Sequence, residues 1–236
     1  MGSLLSFGDA GWGDEIAQGA ALTLELAAVT LPFGLLLGFL SAFATLSHVR
    51  ALRWLGFGYS TTMRGMPELL TLFLVYYGGG LALNAVLAWL RPGASVELSP
   101  FVAGVIALGM VFGAYAGEVL RGAFQALNPG QSEAGLAIGM TRRQVFFRIK
   151  LPQLWRFALP GLGNLWVNLL KDTSMVSVIT LGELMRMSQV AVRTTKLPFF
   201  FFLVACVIYW AMCIASELIL ARMETHANRG IARARA

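Results

Sequence analysis

Apolar residues along this chain fall into five blocks separated by polar stretches, and each block is long enough for a helix that crosses a bilayer. A hydrocarbon core about 30 Å thick takes about 20 residues of helix. The blocks run from Ile16 to Leu46, Leu69 to Leu90, Phe101 to Leu120, Phe157 to Leu181 and Pro198 to Ala221. Pro32 predicts a kink in the first, and the second could begin earlier, through the amphipathic stretch from Phe57. No linker, low-complexity tract or repeat of fixed period is visible. Five spans do not divide into the two comparable halves that an inverted-repeat transporter needs. The expected architecture is an all-α integral membrane protein with one transmembrane domain, residues 16–221, between an N-terminal segment 1–15 and a tail 222–236.

Composition supports this. The chain is 57% hydrophobic and 13% charged, where soluble domains average roughly 45–50% apolar and about 25% charged. The net charge of +6 would suit a nucleic-acid binder, but its placement argues for topology instead. Orientation follows the Lys and Arg of the loops. Arg91, Arg186, Arg193 and Lys196 are the four on one side. Thirteen stand on the other: Arg50, Arg53 and Arg64, six from Arg121 to Arg156, and Arg222, Arg229, Arg233 and Arg235 in the tail. The N-terminus is therefore expected outside and the C-terminus in the cytoplasm. The leader carries Asp9, Asp14 and Glu15 and no basic residue, the wrong sign for a cleaved signal peptide. Cys206 and Cys213 suit one helix face, and two cysteines cannot form a zinc quartet; the histidines, His48 and His226, stand alone in polar segments.

The longest connection, about residues 121–156, lies on the basic side. Asn128-Pro129-Gly130 predicts a turn, after which Ser132 would cap a short helix from Glu133. Gly139 would break that helix, Thr141 would start a second, and Pro152 would mark the next boundary. Such a helix-turn-helix suits docking on another protein. It equally suits an amphipathic helix on anionic headgroups, with Arg142, Arg143 and Arg148 snorkelling. The residues alone leave both open.

Glu133-Ala134-Gly135, three residues, Gly139, nine residues and Ile149-x-Leu151-Pro152 resemble the EAA loop of binding-protein-dependent ABC importer permeases. Gly135 stands where that pattern usually has Ala, which keeps the surface small. Further segments are similar to the polar amino acid permeases of the histidine, lysine-arginine-ornithine or opine type. They include Tyr59 with Arg64-Gly65-Met66-Pro67-Glu68-Leu69, Tyr76-Tyr77-Gly78, Ala114-Tyr115-x-Gly117-Glu118-x-x-Arg121-Gly122, and Leu159-Pro160-x-x-Gly163-Asn164. Leu170-Lys171-Asp172-Thr173-Ser174-x-Val176-Ser177 completes the set. The resemblance implies a type I ABC importer (MetI-like) permease fold in a bacterial inner membrane. Glu133, Ala134, Gly135, Gly139, Arg142 and Arg143 would then form a coupling loop seated in a cytoplasmic ATPase, Glu133 as polar contact and cap and Gly139 as the turn. It also implies a homodimer or a heterodimer with a similar subunit, an ATPase dimer, and a periplasmic or extracellular solute-binding protein. No Gly-Lys occurs in the chain, so a Walker A motif is absent. No cofactor is expected in this chain, and ATP and Mg would be bound by the partner ATPase.

Charges inside spans are costly, about 2.5–3.5 kcal/mol at the centre on insertion scales, and so are candidates for function. Lys171 and Asp172, as helix neighbours, point about 100° apart and cannot simply neutralise each other. With Asn164 and Asn168 they give the fourth span a polar stripe, expected to line a translocation pathway, with Asp172 meeting a substrate ammonium; a hydrogen-bond network between helices is the alternative. Glu25, with no basic residue near it in sequence, could pair across helices or line the cavity, whereas Glu118 and Arg121 at i, i+3 suggest a local ion pair. The acidic excess inside the spans favours a cationic substrate. Gly109, Gly113 and Gly117 form a small-residue ridge on the third span, and Gly34 and Gly38 repeat it on the first, for close helix contact. Two other classes compete. An intramembrane hydrolase lacks G-x-S-x-G and any histidine in a span, and a stand-alone carrier or channel leaves the coupling-type loop unexplained.

Overall fold

Ten α-helices carry the chain in the computed structural model, which describes residues 2–8, 11–91 and 96–228; no β-strand occurs among the described residues. Asp9 and the tail arginines Arg229, Arg233 and Arg235 lie outside them. The helices are α1 (Gly13–Thr45), α2 (Arg50–Gly65), α3 (Glu68–Phe73), α4 (Gly79–Leu90), α5 (Pro100–Gln125), α6 (Pro129–Ala137), α7 (Arg142–Val145), α8 (Leu151–Asp172), α9 (Leu184–Thr195) and α10 (Pro198–Ala227). A π turn, Leu74–Gly78, joins α3 to α4, so that Glu68–Leu90 is one continuous rod. This rod, α1, α5 and α10 are each long and apolar enough to span a bilayer. Helix α1 runs through Pro32 without ending.

The second span does not extend back through Phe57. Helix α2 is separate, since Pro67 pushes Met66 into an extended conformation (φ −93°, ψ 142°). It folds back on α1 and α5, with Gly56 against Thr45 and the Tyr59 hydroxyl donating to the Met110 carbonyl at 2.7 Å.

The fourth span also differs. The regular helix stops at Asp172 and gives way to a 3-10 stretch, Thr173–Ile179. The segment Arg142–Ile179 makes a fifth span only together with α9, across a 50° bend. Residues 175–180, Met-Val-Ser-Val-Ile-Thr, are rich in β-branched side chains, which are poor helix formers. Thr173 and Ser174 donate to the carbonyls three residues back, both at 2.7 Å. Such back-bonding competes with the helical ladder. Thr180 then turns the chain in the left-handed region, at φ 70°.

Helices α1 and α5 meet along the expected glycine ridges. A Cβ on Gly109 would lie 2.4 Å from the Phe33 ring, and one on Gly113 2.7 Å from Leu37 Cβ. On α1 a Cβ at Gly34 would lie 2.6 Å from Phe112, and one at Gly38 2.9 Å from Ala116. The core around this crossing includes Leu26, Ala27, Ala107, Leu108, Leu120, Leu154, Ala158 and Leu170. A smaller one gathers Ile16, Leu184, Ala191, Phe201 and Ala205 where α9 and α10 meet the start of α1. Gly113→Val should therefore cost about 1–3 kcal/mol through overpacking and lower the melting temperature in detergent. Gly58→Ala, where an added Cβ meets nothing within 4 Å, should leave it unchanged or raised. Equal melting temperatures for Gly113→Val and wild type would contradict the close packing.

Between α5 and α8 the connection folds as two short helices, with corrections to its expected boundaries. Asn128, not Ser132, is the cap, its side chain accepting from Gly130 N–H at 2.9 Å. The helix begins at Pro129, whose fixed φ and missing donor suit the first helical position. The cap role expected of Glu133 is thus filled by Asn128. Gly139 breaks the helix as expected, at φ 86°. Thr141 starts the next with a reciprocal capping box: Gln144 N–H to Thr141 Oγ1 at 3.3 Å, and Thr141 N–H to Gln144 Oε1 at 2.8 Å. Pro152 stands in the first turn of α8, at the expected boundary, although the chain stays helical across it. A π turn, Phe146–Lys150, immediately precedes it, and the wider turn accommodates a proline that has no N–H and would crowd the carbonyl four residues back.

Candidate functional site

Two polar residues of the expected stripe, Asn168 and Asp172, sit one turn apart on α8 and face a cleft of about 300 Å³. Its other polar walls are Tyr115, midway along α5, and Glu68; Leu108, Phe112 and Leu165 supply apolar surface. Glu68 reaches the cleft because Pro67 ends the preceding segment and starts the Glu68–Leu90 rod there. Its carboxylate occupies the first turn of that helix, where the exposed N–H groups favour negative charge. Glu68 and Asp172 are walls of the same cleft. Two carboxylates, an amide and a phenol around a half-open apolar cleft can receive a molecule with more than one cationic donor.

The rest of the stripe turns elsewhere. Lys171 faces a second cavity, of about 500 Å³, with Tyr209, Cys206, Cys213 and Glu217, so the two cysteines do share a face of α10. Asn164 lines a third, of about 140 Å³, with Glu217 and Glu224. Glu25 is exposed on α1 and is not among the residues that line the cleft.

Glu118 makes the local pair expected of it. Arg121 donates to its Oε2 from Nη2 at 2.6 Å and from Nε at 3.1 Å. Ser60 donates to Oε1 at 3.1 Å, and Arg64 approaches Oε1 at 3.7 Å.

Glu183 was not expected from sequence. It is fully buried and caps α9, accepting from Arg186 N–H at 2.8 Å and Met185 N–H at 3.0 Å. Tyr209 of α10 donates to it at 2.8 Å and Thr23 of α1 at 3.4 Å. One carboxylate thus ties together three helices at the bend. The available signal was an acidic residue immediately before the amphipathic run of α9, a cap position in a stretch expected to be loop. Glu68 likewise carried no expectation beyond the motif that contains it.

On the α6–α7 loop, Glu133, Ala134, Gly139, Arg142 and Arg143 are exposed and Gly135 is buried. A Cβ at Gly135 would come 2.8 Å from Ile149 and 3.1 Å from Val145; the glycine makes room for these two side chains. Leu136 is exposed as well, and Ile138 keeps 81% of its surface. The guanidinium of Arg143 lies 5.9 Å from the Phe147 ring centre. Small and apolar side chains flanked by arginines form the outer surface of the loop.

The family profile described as binding-protein-dependent transport system inner membrane component matches residues 34–229. The chain is 46% identical to the nopaline transport system permease protein of Agrobacterium fabrum, over 97% of this chain and 98% of that one. It is 40% identical to the histidine/lysine/arginine/ornithine transport system permease protein of Escherichia coli, over 95% and 98% of the two chains. Among solved structures, an amino acid ABC transporter crystallised with histidines aligns with TM-score 0.77 at 28% identity, covering 91% of this chain and 95% of that one. The MetNI methionine ABC transporter, facing inward, aligns with TM-score 0.68 at 16% identity over 91% and 96%, a likeness of fold.

Proposed function

Because the chain belongs to the family of binding-protein-dependent transport system inner membrane components, we propose that it forms one half of a translocation pathway for a polar, cationic amino acid or a related opine. A multi-pass permease subunit of the bacterial inner membrane is what this family supplies. The nopaline and histidine/lysine/arginine/ornithine permeases are its relatives at 46% and 40% identity. The cleft with Glu68 and Asp172 is the substrate site in this reading, and its two carboxylates are what select a cation.

Coupling runs through the α6–α7 loop. The observation that carries this is the exposed surface of Ala134, Leu136 and Ile138 around a left-handed Gly139. An apolar tip held in water by a capping box at one end and a proline at the other is a surface made to be covered. We assign its cover to a cytoplasmic ATPase, with Arg142 and Arg143 at the rim and Glu133 as a polar contact. ATP and Mg would be bound there, since this chain has no Walker A sequence, and the chain itself would catalyse nothing. The N-terminus would lie outside and the loop and C-terminus in the cytoplasm, as the positive-inside bias requires. A second permease copy or a similar subunit would complete the pathway, and an external solute-binding protein would deliver the substrate. Lys171, Asn164 and Glu25, outside this cleft, stay pathway candidates.

Purification of the tagged chain from its native membrane tests the coupling role. Recovery of a stoichiometric ATPase is expected; a clean permease with no ATPase contradicts it.

A further inference from the structure

The cleft answers the cationic end of a substrate and leaves its acidic end without a partner. A free amino acid carries an α-carboxylate, and a carboxylate taken out of water needs a cation or several donors. Among the described residues no basic side chain lines the cleft, and Lys171 faces the α9–α10 side. A cation does stand at the rim. Arg64, at the end of α2, places its guanidinium carbon 5.7 Å from the ring centre of Tyr115, part of the cleft wall. Its contact with Glu118 is the longer of that acid's two ion pairs, 3.7 Å against 2.6 Å for Arg121. Arg121 neutralises Glu118 and Ser60 donates to it, so the positive charge of Arg64 is surplus there. Its side chain remains 42% accessible. Two carboxyl groups in the cleft and one guanidinium beside its Tyr115 wall complement a molecule with two cationic groups and one carboxylate.

We propose that Arg64 is a specificity-determining residue of this cleft. Its guanidinium, set against Tyr115, binds the substrate α-carboxylate while Glu68 and Asp172 meet the ammonium and the cationic side chain. This rests on the cleft being the substrate site. A planar guanidinium matches a carboxylate through two parallel N–H donors. Contact with the ring steadies its plane and leaves the N–H edges free.

The test is binding to the purified permease–ATPase complex in lipid nanodiscs, without binding protein, so that no other component screens the ligand. The probes are radiolabelled arginine and agmatine, which is arginine without its carboxylate. The wild-type complex is expected to bind arginine roughly tenfold or more tightly than agmatine, the size of a charged hydrogen bond. Arg64→Gln should bring arginine down to the affinity of agmatine and leave agmatine unchanged, and Arg64→Lys should restore part of the difference. If Arg64 served only as a partner of Glu118, both ligands would shift together or neither would, and either result overturns the proposal. Equal binding of the two ligands by the wild type overturns it without any variant. Binding of neither overturns the substrate-site reading, and this proposal with it.

Discussion

Replacing Gly139 with proline should detach the ATPase from the membrane subunit while leaving that subunit folded. Gly139 sits at φ 86°, and proline fixes φ near −65°. The substitution also deletes the N–H that donates to the Leu136 carbonyl at 3.0 Å. A misfit of about 3 kcal/mol corresponds to a roughly hundredfold loss of the docked conformer. The damage stays local, because an added Cβ at this position meets nothing within 4 Å and no span depends on the turn. Smaller changes should grade the effect. Gly139→Ala carries only the left-handed backbone penalty, about 1–2 kcal/mol, and should weaken co-purification by roughly tenfold. Gly139→Asn, a residue that tolerates that region, should stay near wild type. The check is the ATPase-to-permease ratio on a stained gel of the purified complex. A Gly139→Pro variant that keeps its ATPase would remove the α6–α7 loop from the coupling role.

The second large effect is expected in the cleft. Glu68→Gln with Asp172→Asn removes both negative charges and keeps the shapes of the side chains. A hydrogen bond to a charged group is worth about 1.5–3 kcal/mol. Each change should therefore weaken arginine binding by roughly 10–100-fold, and the pair by more, although two acids that share one cleft will not combine additively. Both side chains are only half-buried and the amides keep their size, so the complex should remain intact and still hydrolyse ATP. A Kd for arginine unchanged in the double variant would place the substrate elsewhere. The cavity of Lys171 and Glu217 would then be next to examine.

How far the chain could be read without its fold depended on distance along it. Apolar runs of bilayer length announced four spans directly, and the glycine ridges of α1 and α5 met as their spacing implied, because both signals are local. Gly139 and Thr141 were equally legible, since a left-handed turn and a cap depend on near neighbours. The cap at Asn128 was misplaced because Asn128-Pro129-Gly130 is equally good chemistry for a turn and for a helix start. The bend after Asp172 was hidden inside an apolar run. What fixes it is Glu183, whose partners Thr23 and Tyr209 lie 160 and 26 residues away in sequence. The cleft was half visible. Asn168 and Asp172 are helix neighbours, but only the fold brings Glu68 of α3 and Tyr115 of α5 to face them.

Uptake into sealed proteoliposomes tests the central claim most directly. The assembled complex, with ATP enclosed and a solute-binding protein added outside, should accumulate labelled arginine against its gradient. Uptake should stop when ATP, the ATPase subunit or the binding protein is left out. Uptake by the permease chain alone, driven by an ion gradient and indifferent to ATP, would contradict the account.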